Sequence, residues 1–478
     1  MASTLSGTDS LACPFVIPSP EVALSDILPR WTESNLSHPA IIITPKSEED
    51  IVAAIRLAKQ NGLNVVPAGG RHGAFVAINS KTALLELKDF KTIDLDKAKE
   101  TVRVGAGVLT GDLLKHLVEE GYYTTLPNSN AVSIIGGILG GGNTAQNGLH
   151  GFMVDNVLSF RVLTADGRTV EVSSSSSSGD ELALFNALCG VGHGLGVVTA
   201  ATMRVYPVSS LRLTENKVWS RLLMFPPPAL DAAVDAFLSF DQVPAPLTLT
   251  IMFVRSPPGT PSAGSPIILI AATYYGPAED AEKAAAKLFD EAVVGKAFKA
   301  DTIMVPLPAI NNGMEPNNAL GGFKAMNSAR LKQLTPETIK QSFARWVEVT
   351  ADAPDAARTV ALFIKFSPDK MIANGDLPEH KGKFFEGRDR SATAIALPWC
   401  ASPASKVKLD GFVDEFLERV RKVDAVPPRT FANTMRFGAT LDELLSKERV
   451  TEVQRIKASW DPEEVFWSPY SQPARSSL

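Results

Sequence analysis

The sequence predicts an α+β protein built from more than one domain, and three observations support this prediction. The chain has 478 residues, which is more than one ordinary hydrophobic core accommodates. Its first regular stretch, residues 40–66, has the apolar pattern of a β-α-β unit. Between about residues 215 and 425, apolar runs of strand length are separated by long amphipathic segments. This alternation is typical of a sheet with helices on one face.

Changes in the sequence pattern divide the chain into four expected parts. These are an irregular lead-in, a first domain, a second domain and a C-terminal segment, at residues 1–37, 38–208, 209–425 and 426–478. The composition changes after Pro207. The last part carries a dense aromatic run at 460–467, and such a run usually packs onto a core. We therefore expect the C-terminal segment to return to the first domain.

Local signals give the expected elements. Ser47 and Asp50 form a helix-capping pattern, and Gly62 follows that helix as a stop signal. Asp166-Gly167 joins two strand-like runs and is typical of a hairpin. The expected strands are 41–43, 63–66, 83–87, 101–105, 157–165, 169–172, 197–205, 247–254, 267–274, 360–366 and 392–397. The expected helices are 47–61, 110–120, 182–188, 231–240, 278–292, 336–350, 406–423 and 441–459.

Composition and charge argue against several classes of function. The formal net charge is −5 and the pI is about 5.8, which gives no reason to expect nucleic acid or an anionic membrane as partner. The three cysteines are far apart, so neither a zinc site nor a disulfide framework is expected. The N-terminus lacks a basic region, and no apolar run approaches the roughly 20 residues that span a bilayer. We expect a cytoplasmic protein without a bound metal. The oligomeric state is open.

The loop after the second expected strand is the first candidate site. Gly69, Gly70 and Gly73 flank Arg71 and His72, and they leave several backbone N–H groups unhindered at a strand end. Such a concavity suits an anion, especially a diphosphate. The alternative is a tight turn that uses glycine for positive φ.

Two further glycine clusters follow, at residues 136–142 and 190–196. Each glycine weakens regular structure by roughly 0.5–1 kcal/mol relative to alanine, so a free-standing element would not gain from them. Close approach of a flat ligand to the backbone explains them, and a buried low-complexity loop is the alternative. Three clusters within the first domain favour a large cofactor spread across several loops.

Other nucleotide-binding patterns are weaker. Gly105-Ala106-Gly107 with Gly111 is one residue too long for the dinucleotide fingerprint, and no acidic residue ends a second parallel strand. We interpret it as a strand end followed by a helix start. The sequence has no P-loop lysine, HExxH or GxSxG motif.

Four stretches of the chain form a recognisable series: the T-P-x-S-x-x-D-I entry at 44–51, the loop at 68–73, the G-GGG, DN and TADG run from 136 to 167, and the run at 184–199. A DPxxxF motif at 461–466 adds to them. Together they resemble the vanillyl-alcohol-oxidase superfamily, which has the PCMH-type FAD-binding fold, and within it the berberine bridge enzyme-like oxidases. The resemblance implies a two-part FAD-binding domain at 38–208. It also implies a substrate domain at 209–425, with an antiparallel sheet covered by helices.

The resemblance also implies residues that contact FAD. They are Ala68, Gly69, Gly70, Arg71, His72, Gly73, Asn130, Ser133, Gly136, Gly137, Asn143 and Val198. His72 matches the histidine through which relatives often hold FAD covalently, and a histidine that only hydrogen-bonds the cofactor is the alternative. Some relatives add a cysteine bond at the position of Ser129, so a bicovalent flavin is not expected here.

The implied activity is that of an FAD-dependent oxidase. Hydride would pass from a small, apolar organic or natural-product substrate to flavin N5, and dioxygen would reoxidise the flavin. The family's Tyr-x-Asn corresponds to Phe431-Ala432-Asn433, and phenylalanine cannot accept a proton, so the base is unknown. Asn433 and Tyr470 are candidate catalytic residues. The unranked alternatives are Tyr274, Tyr275, His193 and His150.

Two other functions remain open. The missing tyrosine allows an FAD-scaffolded cyclase of natural-product biosynthesis with little or no net redox turnover. A binding protein that has lost its flavin is the third possibility, although the intact glycine clusters argue against it.

Overall fold

The structure, a computed structural model, describes residues 5–470. The strands up to residue 207 are β1 (Phe15–Val16), β2 (Ile41–Ile43), β3 (Asn64–Ala68), β4 (Thr82–Glu86), β5 (Ile93–Asp96), β6 (Thr101–Gly105), β7 (Tyr122–Tyr123), β8 (Val157–Leu163), β9 (Thr169–Ser173), β10 (Val197–Arg204) and β11 (Tyr206–Pro207). The later strands are β12 (Lys217–Phe225), β13 (Leu247–Arg255), β14 (Pro266–Tyr274), β15 (Lys299–Pro306), β16 (Phe323–Lys324), β17 (Asn327–Leu331), β18 (Val360–Phe366), β19 (Ala392–Leu397) and β20 (Trp399–Cys400).

The α-helices lie between and after these strands in the chain order. They are α1 (Leu24–Ile27), α2 (Glu48–Gln60), α3 (Thr110–Glu119), α4 (Ile134–Leu139), α5 (Asn147–His150), α6 (Gly179–Val191), α7 (Leu230–Leu238), α8 (Ala278–Ala284), α9 (Glu291–Val294), α10 (Pro336–Asp352), α11 (Asp369–Asp376), α12 (Pro403–Asp424) and α13 (Lys447–Trp460). Within residues 5–470, none of them combines the length and the hydropathy that crossing a bilayer demands.

The first region contains two main sheets. In one, β2 and β3 both pair in parallel with β4, and β1 pairs antiparallel with β2 at the edge. The expected β-α-β start is confirmed, and the Ser47–Asp50 capping box begins α2. The other sheet is antiparallel, in the order β5-β6-β10-β8-β9, and the β8–β9 hairpin turns at Asp166-Gly167 as predicted.

The second region is a seven-stranded antiparallel sheet in the order β15-β12-β14-β13-β18-β19-β17. Along β13, Leu249, Ile251 and Phe253 are buried in the core that α7, α10 and α12 also line. The alternate residues Thr250 and Met252 lie on the opposite, half-buried face. Helices therefore cover one face of the sheet, which confirms the predicted α+β arrangement and leaves the other face toward the first region.

The C-terminal segment packs on the first region, as predicted. Phe466 forms a parallel bridge with Val65 of β3. The Lys457 Nζ donates to the carbonyls of Gly194, at 2.8 Å, and Phe466, at 2.9 Å. The aromatic tail at 460–467 thus ties the C-terminal segment to β3, the strand that leads into the loop at 68–73.

Several elements differ from the expectations. Three strands of the seven-stranded sheet, β12, β15 and β17, were not predicted, and neither were the shorter strands β5, β7, β11, β16 and β20. The edge strand β15 is largely exposed, and β17 buries polar side chains such as Ser328 and Arg330, so neither has an apolar pattern. The expected helix at 278–292 ends at Ala284, and a 3-10 turn separates α8 from α9. The lead-in, expected to be irregular, contributes β1 and α1.

Candidate functional site

The loop at 68–73 leaves β3 at Ala68 and packs its backbone tightly against the segment before α4. A Cβ placed on Gly69 would lie 2.6 Å from the Ser133 Oγ, and one on Gly70 would lie 2.6 Å from the Ser133 backbone nitrogen. Neither these glycines nor Gly73 has a positive φ. The tight-turn interpretation is therefore wrong, and close packing of two backbones requires the absence of side chains.

Arg71 takes the left-handed conformation in this loop, with a φ of 61°. Its Nη2 forms an ion pair with the Oε1 of buried Glu86 at 2.6 Å, and its Nη1 donates to the Pro29 carbonyl at 3.2 Å. The guanidinium charge of Arg71, a residue expected to contact FAD, is thus largely engaged inside the fold.

His72 has one ring nitrogen engaged and one without a partner. Its Nδ1 donates to the Gly70 carbonyl at 2.7 Å, and because a carbonyl can only accept, Nδ1 carries the hydrogen. Nε2 is buried and has no hydrogen-bond partner among residues 5–470. Burial lowers the pKa of His72, and the charges of Lys324 and Arg30 lower it further, against the hydrogen bond to Gly70. The ring is therefore neutral, with a free Nε2 lone pair.

The second glycine cluster corrects our expectation of a loop. Gly136 and Gly137 lie inside α4, whose N-cap Ser133 accepts from the Gly136 N–H at 3.2 Å. A Cβ on Gly140 would collide with the Asn433 side chain, and one on Gly141 with the Phe385 ring. Side chains of the protein, rather than a flat ligand, make the close approach at these two glycines.

The other expected cofactor contacts lie around this cluster. Asn130 donates from Nδ2 to the Glu315 Oε1 at 2.7 Å, while its buried Oδ1 has no partner among the described residues. Asn143 accepts at Oδ1 from Asn147 at 2.6 Å, and Val198 is buried in β10. The Ser129 hydroxyl donates to the Asn318 side chain at 2.7 Å.

The third cluster contains His193, whose contacts lead to the other two clusters. The Asn433 Nδ2 donates to the Gly137 carbonyl at 2.8 Å, so its Oδ1 faces His193 and accepts from Nε2 at 2.7 Å. The Phe75 ring, two residues beyond the first cluster, lies 5.0 Å from the His193 ring centroid. Burial lowers the pKa of His193 to about 4, against the hydrogen bond to Asn433. His193 is thus neutral, with its hydrogen on Nε2.

The remaining catalytic candidates lie in different surroundings. Tyr470 is buried in the first core, its hydroxyl has no partner among the described residues, and burial raises its pKa. Tyr274 belongs to the core between the sheet and its helices, on the face away from the glycine clusters. Tyr275 is buried beside Tyr123, which hydrogen-bonds His150 at 2.7 Å. Only His193 and Asn433 are brought together at the glycine clusters.

Sequence analysis missed three residues at this site. Trp31 stacks on His72 with ring centroids 5.5 Å apart and an angle of 19° between the planes. Lys324 is buried nearby, and Phe385 lies against Gly141. A tryptophan in an otherwise irregular lead-in was the one available signal, since large aromatic residues rarely lie in a segment without packing partners.

Comparisons with known proteins agree with the geometry. Residues 39–173 match the model of a family described as an FAD binding domain. The FAD-linked oxidoreductase hasG of Aspergillus fumigatus is 27% identical over 467 residues, which cover 94% of each chain.

Solved structures share the fold across nearly the whole chain. BBE-like 1 of Physcomitrella patens superposes with a TM-score of 0.79 at 18% identity, covering 97% of this chain and 98% of its own. The glucooligosaccharide oxidase of Acremonium strictum, described with a 6-S-cysteinyl, 8α-N1-histidyl FAD, gives a TM-score of 0.75 at 18% identity, covering 96% of each chain.

Proposed function

We propose that this chain, whose residues 39–173 match an FAD binding domain and which is similar to FAD-linked oxidoreductases along most of its length, is an FAD-dependent oxidase of a small, apolar organic substrate. Residues 38–208 would hold FAD, residues 209–425 would supply the substrate face, and residues 426–478 would complete the site. The substrate would lose hydride to the cofactor, and dioxygen would take the electrons and form hydrogen peroxide. The observation that carries this proposal is the buried Nε2 of His72, in the first glycine cluster, which has no hydrogen-bond partner among residues 5–470.

The residues present fit FAD in two respects. The buried Nε2 of His72 and the buried Oδ1 of Asn130 both lack partners among residues 5–470, as polar atoms that face a cofactor do in its absence. The loop at 68–73, with Asn130, Ser133, Gly136, Gly137, Asn143 and Val198, would hold the cofactor. When bound, FAD supplies a two-electron acceptor, and the protein supplies placement and electrostatics.

We propose that His72 is also the covalent anchor. Its Nε2 lone pair would form a C–N bond to the flavin 8α carbon. This bond would replace a C–H bond of that carbon, whose proton would go to solvent and whose two electrons would be taken up by dioxygen. Ser129 has no sulfur to form a second bond, and the three cysteines, which are buried and free, are far from it in the sequence. The attachment would therefore be through one bond.

We propose His193 as the group that takes the substrate's proton. It is neutral, and Asn433 holds its hydrogen on Nε2, so the Nδ1 lone pair is the basic atom. A general base must be neutral at the working pH and held in one orientation, and the Asn433–Gly137 hydrogen bond provides this orientation. Asn433 would thus be a positioning residue. Tyr470, a protonated and buried phenol, would be a hydrogen-bond donor rather than a base.

The substrate is inferred to be apolar from the sheet face toward the first region. Met252 and Leu362 are cross-strand partners on this face, and Ile364 beside them packs on the first core. These side chains offer contact area but no hydrogen bonds, and since Thr250 and Thr393 are the hydroxyl-bearing partners of Ile364, most hydroxyls of a sugar would be left unpaired here.

A cyclase is the second candidate, and Phe431 favours it. Phe431 is buried against Phe152 and Phe385, with ring centroids 5.7 Å away in both cases. This aromatic cluster, whose three rings also contact the guanidinium of Arg330, can shape a folded substrate without taking a proton. Such an enzyme would use the flavin as part of its scaffold.

A substrate-independent experiment tests the oxidase. The purified protein is loaded with FAD, its visible flavin absorption is recorded, and the flavin is reduced with dithionite under nitrogen and mixed with oxygenated buffer. An oxidase should regain its absorption rapidly and release one hydrogen peroxide per flavin. A protein that takes up no FAD contradicts the whole proposal. Flavin that binds but reoxidises no faster than free reduced FAD favours the cyclase.

A further inference from the structure

The N-terminal strap, residues 29–35, lies directly on the loop that carries His72. Arg30 donates from Nη2 to the Gly73 carbonyl at 3.1 Å, and the Trp31 backbone N–H donates to the Arg71 carbonyl at 3.4 Å. Arg71 donates back to the Pro29 carbonyl. The strap and the loop are therefore joined by hydrogen bonds in both directions.

The same strap is also bonded to the second region. The Gly321 N–H donates to the Arg30 carbonyl at 2.9 Å, and the Glu33 N–H donates to the Gly322 carbonyl at 2.9 Å. The Trp31 Nε1 donates to the Asn317 carbonyl at 2.8 Å. Trp31 is thus fixed at its backbone by the loop and at its ring by a segment almost 290 residues later in the chain.

The fixed Trp31 ring is the surface against which His72 rests. The two rings stack, and Trp31 is only 5% exposed. The Lys324 Nζ lies 5.1 Å from the Trp31 ring centroid and 4.2 Å from that of Trp399, and Lys324 is 1% exposed. Two buried cations, Lys324 and Arg30, therefore lie near His72, and both oppose its protonation.

We propose that Trp31 is a positioning residue for His72. Its ring keeps the imidazole in the plane in which Nδ1 reaches the Gly70 carbonyl and Nε2 stays free. Its bulk excludes water that would otherwise bond Nε2. This inference rests on the proposed role of His72 toward FAD, and it adds that the orientation of the histidine is set from the second region through the strap.

A merely structural role for Trp31 has different consequences. A buried aromatic ring that only fills space would lower the unfolding midpoint when truncated, but it would not move the pKa of one histidine. It would also not change flavin incorporation at a temperature where the variant is folded. The test therefore needs readouts that follow His72 itself.

The experiment compares Trp31→Leu and Trp31→Phe with the wild type, alone and combined with His72→Ala. Each protein is loaded with FAD and acid-precipitated, and the flavin in the washed pellet is measured against time. Mutation of the group that orients a metal-binding histidine typically costs about 10–100-fold in metal affinity or activity, and we use this range for His72. We expect incorporation to slow about tenfold or more in Trp31→Leu and to stay within about threefold of wild type in Trp31→Phe, whose ring can still stack.

A second readout does not depend on flavin. The chain has 6 histidines, so the ring signals of selectively labelled protein can be followed by NMR against pH, and the His72→Ala variant identifies the signal of His72. In Trp31→Leu the pKa of His72 should rise toward its ordinary value of 6.5, because water reaches the ring and the burial that lowers the pKa is lost. The wild type and Trp31→Phe should keep the lowered pKa.

The two readouts separate the two hypotheses. If wild-type protein holds no flavin after acid treatment, covalent attachment fails, while a raised His72 pKa in Trp31→Leu would still support the positioning role. If Trp31→Leu incorporates flavin at the wild-type rate and its His72 pKa is unchanged, Trp31 does not position His72. In the His72→Ala background, replacing Trp31 should have no further effect on FAD affinity, and an added loss there would also overturn the proposal.

Discussion

Two histidines in this molecule share a chemical state but differ in what holds them. His72 and His193 are both neutral, because burial lowers the pKa of each. His72 is held through Nδ1 by a backbone carbonyl and an aromatic face, and its Nε2 has no partner among the described residues. His193 is held through Nε2 by the Asn433 side chain.

This difference indicates different functions. A backbone carbonyl and a stacked ring fix a histidine permanently, which suits a nitrogen that makes one lasting bond. A side-chain amide bonded to a helix carbonyl fixes the tautomer while the ring can still gain and lose a proton, which suits a group that acts in each turnover. The region around His72 would therefore anchor the cofactor, and the region around His193 would act on the substrate.

The largest expected effect is the loss of anchored flavin in His72→Ala. Without the Nε2 lone pair no C–N bond can form, so the washed acid pellet should lose all of its flavin absorption. The matched control is His193→Ala, which leaves the loop at 68–73 unchanged and should keep the pellet yellow. A yellow pellet from His72→Ala would place the bond on another residue and remove the distinction between the two histidines.

The next effect is on the rate of substrate oxidation. His193→Ala should keep its flavin but lower the rate of anaerobic flavin reduction by substrate about 10²–10⁴-fold, the usual contribution of a general base. Asn433→Ala should have a smaller effect, on the order of tenfold, because the ring remains but its tautomer is free. In the wild type the rate should fall as the pH drops below about 4, where His193 becomes protonated. Equal rates in all three proteins would show that the base is elsewhere.

Much of this arrangement could be predicted from local sequence. Ser47 and Asp50 cap α2 through contacts only three residues apart, and Asp166-Gly167 forms its hairpin from its own backbone preferences. The motif at 68–73 likewise located His72. These features depend on near neighbours, so the residues themselves carry the information.

Other features depend on distant partners and could not be predicted. The Trp31 ring is held by contacts with Asn317 and Lys324. The residues around Trp31 in the sequence do not indicate these distant partners. β17 buries Ser328 because Thr430 and Thr434 of the C-terminal segment bond its hydroxyl. A glycine in the sequence does not show whether a ligand or a side chain of the protein lies against it. At Gly140 the neighbour is the Asn433 side chain.

A third test asks whether this glycine packing supports the His193 region. A Cβ at Gly140 would collide with Asn433, so Gly140→Ala should displace the amide from His193 and destabilise the fold by about 1–3 kcal/mol, as overpacking does. Gly411→Ala in α12 is the matched control, because a Cβ there would meet no atom within 4 Å. Urea unfolding of both variants measures the effect. Similar midpoints for the two would show that Asn433 can move without cost.

The smallest expected effect is on the pH dependence of stability. His193 binds its proton at about pH 6.5 when unfolded but only near pH 4 when folded, so between these values the unfolded chain holds more protons. Stability should therefore fall as the pH is lowered from about 6.5 to about 4. Because His150 and His380 also have pKa values lowered to about 4, His193→Gln should make this slope shallower without abolishing it. Urea unfolding at a series of pH values would measure the slope, and an unchanged slope in the variant would mean that His193 is already protonated in the fold. That result would show that burial does not hold His193 neutral in this pH range, unlike His72.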